Sequence, residues 1–346
     1  MSYCFASKMS TCLTSSELYS IAWICALPIE RAAAIATLDK RHQAPENFEQ
    51  HPSDHNFYSW GAIGEHNIVI ASLDAGVIGK VSAATTASQL LASLPHIKFG
   101  LLVGIGGGIP NLPSKDIRLG DVAVSQPKGS TGGVVQYDLG KAIADGTWER
   151  KGTLNKPPSV LLKALAAIQA EHLLEPTQVP AILKSMVEKY PRLAKEKPGF
   201  IHQGAEQDRY FDPGYSHGAG ADCTTCDPKR RLPRDARRTT EPHIHYGVIG
   251  SGDGVVKDPK VRERISQWVG PECICLEMEA AGLMDQFPCL VIRGISDYAD
   301  SHKNDCWQQY AAASAAAFAK ELLGFVRADR EFSGTPRALD AIQSGS

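Results

Sequence analysis

Residues 276–282, LEMEAAG, and 291–300, VIRGISDYAD, set carboxyl-bearing segments directly against apolar runs. The second segment continues CLVIRGI (289–295), a run short enough to be a strand and apolar enough to be buried on both faces. Asp297 then falls at the C-terminal end of that strand, where open α/β sheets hold their ligands. In the first segment Glu277 and Glu279 flank Met278, and Glu279 leads into Ala280, Ala281 and Gly282, a small-residue run that predicts a helix packed closely on its neighbours. Two acids in apolar surroundings suit a site where one gives up a proton while the other holds a hydroxylated substrate.

Working outward, SIAWICAL (20–27) predicts a buried first strand ended by Pro28, and IERAAAIATLDK (29–40) has helical spacing. FYSWGAIG (57–64) and HNIVIASL (66–73) predict a hairpin turning at Gly64 and Glu65. KVSAATTASQLLASL (80–94) predicts a helix and FGLLVGIG (99–106) another buried strand. An amphipathic helix is expected at 158–175, entered through Pro157 and Pro158, and a long small-faced helix at 304–326. This alternation places the chain in the α/β class, with a twisted mixed sheet flanked by helices. Residues 19–326 form one expected domain, with an insertion at 175–241 rich in Pro, Gly, His and charge. A flexible N-terminus (1–18) and a disordered tail (327–346) flank it.

The 346 residues carry 36 Lys and Arg against 38 Asp and Glu, a formal charge of -2. Neither sign dominates, which argues against a nucleic-acid or membrane-surface binder and for a small-molecule partner. No uncharged apolar run is long enough to span a bilayer, and the first twenty residues lack a signal-peptide core, so a cytoplasmic protein is expected. Nine cysteines make an odd number, and Cys25, Cys273, Cys275 and Cys289 lie inside strand-like runs, so no disulfide framework is expected.

Several motifs leave two readings open. GIGGGIP (104–110), with Gly104, Gly106, Gly107 and Gly108, fits either a phosphate cradle or a tight strand-to-loop turn. Glu30 is either a site residue at the sheet edge or a solvated first-turn acid that suits the helix dipole. His243 and His245, with no acid or Cys at catalytic spacing, read as structural. His217 with Cys223 and Cys226 of CTTC supplies part of a tetrahedral zinc site, the alternative being free thiols in a mobile loop. The basic run PKRRLPRDARR (228–238) is either a solvated loop or a polyphosphate- or partner-binding patch.

Taken in order, WICALPIE, DAGVIGKVSAAT, GLLVGIGGGIP, IRLGDVAVS, HYGVIGSGD and the two opening segments resemble the purine nucleoside phosphorylase and methylthioadenosine/S-adenosylhomocysteine nucleosidase superfamily. The resemblance runs from about Tyr19 to Leu323. It looks closest to nucleosidase-like domains at the N-termini of fungal NACHT-type immune receptors, and related immune domains cleave ATP to adenine and ribose 5′-triphosphate. It implies the three-layer phosphorylase/hydrolase fold, a purine nucleoside or nucleotide substrate, no cofactor required for catalysis, and a homo-oligomer. Met278 and Glu279 would then grip the ribose, Ser296 would orient Asp297, and Asp297 would protonate the purine at N7. Glu30 would activate water. Gly106 and Gly107 would underlie the ribose, while Asp253 and Val255, in a loop lacking the family's stacking aromatic, would face the purine. Ile105 replaces the Ser or Thr by which phosphorylases bind phosphate, which favours hydrolysis. Lys303, Trp307, His302 and Lys128, with Arg118 as a further candidate, would line the 5′ end, where the cations suit an anionic group. A phosphorylase, a methylthioadenosine nucleosidase and a non-catalytic nucleotide-sensing module remain the alternatives.

Overall fold

Strand β1 (Ile21–Cys25) shows how the layers arise: its side chains alternate, Ile21, Trp23 and Cys25 entering one core and Ala22 and Ile24 the other. A strand buried on both faces needs cover on both, and helices supply it. The computed structural model describes residues 11–143, 148–218, 220 and 222–328. After β1 come α1 (Pro28–Thr37), β2 (Lys40–His42), β3 (Ser59–Ile63), β4 (His66–Ser72), α2 (Lys80–Ser93), β5 (Phe99–Gly108) and β6 (Val122–Ser125). The short strands β7 (Val134–Gln136), β8 (Gly140–Ala142) and β9 (Trp148–Arg150) follow, then α3 (Ser159–Glu171), α4 (Val179–Lys189) and α5 (Arg192–Lys195). The C-terminal third holds β10 (Ile244–Ser251), α6 (Pro259–Val269), β11 (Cys273–Glu277), β12 (Cys289–Asp297) and α7 (Gln308–Leu323).

The mixed sheet runs in the order β11-β10-β6-β12-β5-β1-β4-β3-β2, with β7 paired to β10. Long β5 does more than sit in the middle. Its first half pairs with β1 as far as Leu102, and Gly107 and Gly108 then take β11 in antiparallel register. With β12 parallel on the other side, β5, β12, β6, β10 and β11 close on themselves into a ring. The closure brings Glu277 and Arg293 to one interior.

The α1 and α7 helices pack with α3 and α4 on one face, while α2 lies on the other. The alanines of α7 let it lie almost on the backbone of β12: a Cβ on Gly294 would fall 1.8 Å from the Ala311 carbonyl. The segment expected as an insertion is partly integral, because Val179 and Met186 of α4 join the main core. The segment 11–18 is anchored as well as exposed, since Thr11 bridges to His42 and Ser16–Leu18 forms a 3-10 turn capped by Ser15. Residues 1–10 and 329–346, expected to be flexible, lie outside the described residues.

Candidate active site

The glycines at 104–108 are neither a turn nor a phosphate loop. They belong to extended β5, and none of them has a positive φ. They are small because of what lies beside them. A Cβ on Gly104 would come within 2.4 Å of both Glu30 Oε1 and Arg293 Nη1, and one on Gly107 within 3.0 Å of Asp297 Oδ1. The strand is pared down where carboxylates and a guanidinium crowd against it.

Arg293 stands opposite Gly104 in the β12–β5 register and is 1% exposed. A buried charge persists only when paired and hydrogen-bonded. Its Nη2 contacts Glu277 Oε2 closely and donates to Glu279 Oε2 at 3.1 Å. Glu277 is held in turn by the backbone N–H groups of Glu279 and Ala280, both 3.0 Å from its Oε2. Glu279 also accepts from the Gly79 N–H at 3.3 Å. The helix expected after Glu279 is one 3-10 turn, Ala280–Gly282. It packs as tightly as its small residues suggested, since a Cβ on Gly282 would fall 2.1 Å from the Lys80 carbonyl.

Glu30, 3% exposed, is no solvated first-turn acid. As the third residue of α1 it reaches back to accept from the Ala26 and Leu27 N–H groups at 2.7 and 2.9 Å, and its other oxygen accepts from the Ile105 N–H at 2.8 Å. Burial raises its pKa, opposed by Arg293 and those three N–H groups. Burial likewise pushes Glu279 up to about 7: Arg293 counteracts it, while neighbouring Glu277 and Glu30 add to it. One guanidinium thus faces three carboxyl groups, and near neutrality the cluster is poised to hold a proton.

Across the same cavity, at the end of β12, Asp297 is 5% exposed. Its surroundings are not merely apolar. Oδ2 accepts from the Ser296 hydroxyl at 2.8 Å and from Lys303 Nζ at 2.9 Å, and Oδ1 accepts from the Ala299 N–H at 2.9 Å. Ala299 has φ 51°, the left-handed region that a non-glycine residue enters only under constraint, just where the chain leaves Asp297. Glu30, Glu277, Glu279, Ser296, Asp297 and Lys303 surround a cavity of ≈ 310 Å³, within the usual range for small-molecule sites. Met278, Ile105, Gly106, Gly107, Val255 and Tyr137 complete its wall.

Not every expected residue reaches it. Asp253 points away, accepting from the Lys80 N–H at 2.9 Å and pairing with Lys80 Nζ at 3.3 Å, so its loop meets the cavity through Gly254, Val255 and Val256 instead. Trp307 is buried beneath the start of α7, its indole N–H directed at the Gln207 carbonyl at 3.3 Å, because a large apolar ring gains more from the core than from the pocket mouth. His302 stacks on Phe211 outside the cavity. Lys128 pairs with Glu272, and Arg118 with Asp116. Two residues were given no role in the sequence, and Tyr137 stood only as the end of the 128–137 region expected near the 5′ end. Tyr137 bonds the Gly252 and Gly254 carbonyls at 3.3 Å and so backs the loop. Arg293 was legible in principle, since a lone Arg inside an apolar strand run demands buried partners, although nothing local names Glu277 as one of them.

A hollow of ≈ 350 Å³ lies over the basic insertion, but two of the arginines lining it, Arg234 and Arg237, are committed to carboxylates. Arg237 clasps Asp121 at 2.6 and 2.7 Å, and Arg234 bonds Asp208 and the Tyr298 hydroxyl, each at 2.8 Å. Burial would raise the Asp121 carboxyl, yet Arg237 and His245 outweigh it and hold it at about 2. Arg234 and Arg237 therefore pin the insertion, and neither the glutamate cluster nor Asp297 opens into this hollow. His217, Cys223 and Cys226 do come together, their donor atoms all within 4.8 Å of one another.

No protein-family model matches the chain. Over 308 residues it is 43% identical to a nucleotide-binding leucine-rich repeat (NLR)-like protein of Hyaloscypha variabilis, covering 89% of this chain but 29% of that one. Over 92 residues it is 37% identical to the ATP nucleosidase Cap17 of Escherichia coli, covering 25% of this chain and 18% of that one. The chain thus spans less than a third of the length of these relatives. Among solved structures, futalosine hydrolase of Helicobacter pylori superposes with a TM-score of 0.54 at 18% identity, over 90% of this chain and 99% of that one. The 5′-methylthioadenosine/S-adenosylhomocysteine nucleosidase of Neisseria meningitidis gives 0.54 at 18%, over 88% and 97%. Among the described residues, no helix is long and apolar enough to cross a membrane. The chain therefore has the fold of these two solved nucleoside hydrolases, a mixed sheet flanked by helices.

Proposed function

We propose that the chain hydrolyses the N-glycosidic bond of purine nucleosides and nucleotides, with ATP as the preferred substrate and adenine and ribose 5′-triphosphate as products. The observation that carries this reading is one cavity flanked by two separate acid systems, the Arg293-centred glutamates and the Ser296–Asp297 pair. Departure of the base leaves positive charge at C1′ and negative charge on the purine, so the reaction needs an acid at N7, a grip on the ribose and an activated water. Asp297 supplies the acid and Glu279 accepts hydrogen bonds from the ribose hydroxyls. Glu30 takes the proton of the water that attacks C1′ as the C1′–N9 electron pair passes to the purine.

Hydrolysis is favoured over phosphorolysis at Ile105. Its side chain offers phosphate no hydrogen bond, and its backbone N–H is already given to Glu30. The preference for a 5′-phosphate rests on Lys303, the cation that lines the cavity among the described residues, and on the partial likeness to an ATP nucleosidase. Lys303 pairs with Asp297 at 2.9 Å. A 5′-phosphate recruits the ammonium and leaves Asp297 free to carry the proton it passes to N7, so 5′ recognition and acid catalysis are joined in one side chain. The test is adenine release from ATP, ADP, AMP, adenosine and methylthioadenosine, with and without inorganic phosphate. Adenine with free reducing sugar phosphate is expected. Release that needs phosphate and yields a 1-phosphate, or no release from any of the five, refutes the reading.

A further inference from the structure

Besides the hold that Arg234 has on Tyr298, the insertion meets the loop after Asp297 around Ser301 and His302. There the His217 N–H donates to Ser301 Oγ at 3.0 Å, and the Cys223 thiol lies 3.7 Å from the His302 carbonyl. The His302 ring stacks on Phe211 and Tyr215, at centroid distances of 4.1 and 5.4 Å. This contact is also rich in metal donors. Cys223 opens a 3-10 turn that returns the Cys226 N–H to the Cys223 carbonyl, so both buried thiols sit on one short loop facing the His217 ring.

A second observation points to the same spot. His302 is 7% exposed, and its Nε2 has no hydrogen-bond partner among the described residues, although its ring lies 5.4 Å from that of His217. Buried ring nitrogens ordinarily find a partner, and one without a protein partner asks for an ion or a water. His217 has the opposite surplus, with the Gly218 carbonyl 2.7 Å from Nδ1 and the Asp222 carbonyl 2.9 Å from Nε2. A neutral imidazole donates to only one of these. Metal-bound histidines hold their tautomer in this way, one nitrogen on a carbonyl and the other on the ion.

We propose that Cys223, Cys226, His217 and His302 bind one zinc ion. Two thiolates and two imidazoles are a tetrahedral set that suits zinc, and bonds of about 2.0–2.3 Å require the three clustered donors to close in and the His302 ring to turn toward them. With four protein ligands there is no open position, so the ion is structural. It fastens the insertion to residues 298–303, the loop that begins at Asp297 and carries Lys303. The segment is thereby clipped to the one stretch of backbone that shapes the acid end of the cavity.

The experiment uses the full chain, purified without metal-affinity steps. Elemental analysis should find one zinc per chain, with Cys223 and Cys226 protected from alkylation until a chelator is added. Cobalt replacement should give the intense visible bands of a tetrahedral ion with thiolate charge transfer. His302→Ala should alter those bands and weaken zinc in chelator competition by roughly tenfold or more, and Cys226→Ser should abolish binding. Should a variant fail to fold, chelator-stripped wild type should become cleavable by protease within 205–227 and regain resistance on adding zinc. A Cys223–Cys226 disulfide, freely alkylated thiols in zinc-replete protein, or an unchanged cobalt spectrum in His302→Ala would each overturn the proposal.

Discussion

Replacing Glu279 by Gln should stabilise the protein at pH 8 while disabling it. The carboxyl is 5% exposed and shares Arg293 with Glu277, and its pKa is pushed from 4.5 to about 7 by burial and by the neighbouring glutamates. A carboxyl that holds its proton more tightly folded than unfolded costs nothing below about pH 4.5. It costs progressively more as pH rises through 7, because the unfolded chain ionises first. At about 1.4 kcal/mol per unit, that shift represents ~3 kcal/mol at pH 8. Gln keeps the shape of the neutral acid but turns an amide toward donors on Gly79 or Arg293, which removes part of the gain, leaving about 1–2 kcal/mol. In a domain this large that is a rise in Tm of about 2–4 °C at pH 8, vanishing near pH 5. Thermal unfolding of both proteins across pH 5–8 measures it. The same change removes the charged acceptor for the ribose hydroxyls and should lower kcat/KM on the order of 10² or more. For the wild type, kcat/KM on ribonucleotides should fall as pH drops below about 7, where Glu279 takes up its proton. A variant less stable than wild type at pH 8, or a Tm difference that ignores pH, refutes the electrostatic argument.

Asp297→Asn should lower adenine release about 10²–10⁴-fold, the usual worth of a general acid, with an unchanged circular dichroism spectrum; near wild-type turnover would remove Asp297 from that role. Lys303→Met should reduce the preference for ATP over adenosine at least tenfold, since a charge-assisted contact contributes about 1.5–3 kcal/mol, and the wild-type preference should weaken with salt. Equal ratios in both proteins would place 5′ recognition elsewhere. Gly104→Ala should abolish activity or folding, because its methyl group meets Glu30 and Arg293 at 2.4 Å; a fully active variant would show that this cluster tolerates displacement.

What could be read in advance had a local cause. The length of the apolar run at 289–295 put Asp297 at a strand end, and the small residues at 280–282 announced a close approach that Gly282 and Lys80 make. What could not be read depended on distant partners. Nothing near Gly107 or Leu276 signals that they pair, so the closed ring and the meeting of Glu277 with Arg293 were out of reach. Glycines 104–108 fitted a phosphate cradle or a turn because glycine serves both, whereas here each makes room for a neighbouring group. Trp307 and Asp253 were assigned because they lie in segments that resemble the family's, close in sequence to Lys303 and Val255. Proximity does not say which way a side chain leaves the backbone, and the core took one while Lys80 took the other.

The pairing of Gly107 and Gly108 with Leu276 and Cys275 also governs when the cavity can exist. On the ribosome, β5 emerges long before β11 and β12, and until those strands arrive Glu30 has no Arg293 and the ring has no closing edge. A nascent or truncated chain ending short of Asp297 therefore has no working pocket, however well its N-terminal half has folded. For a protein that would consume nucleotides, activity is withheld by topology until synthesis of the fold is nearly finished.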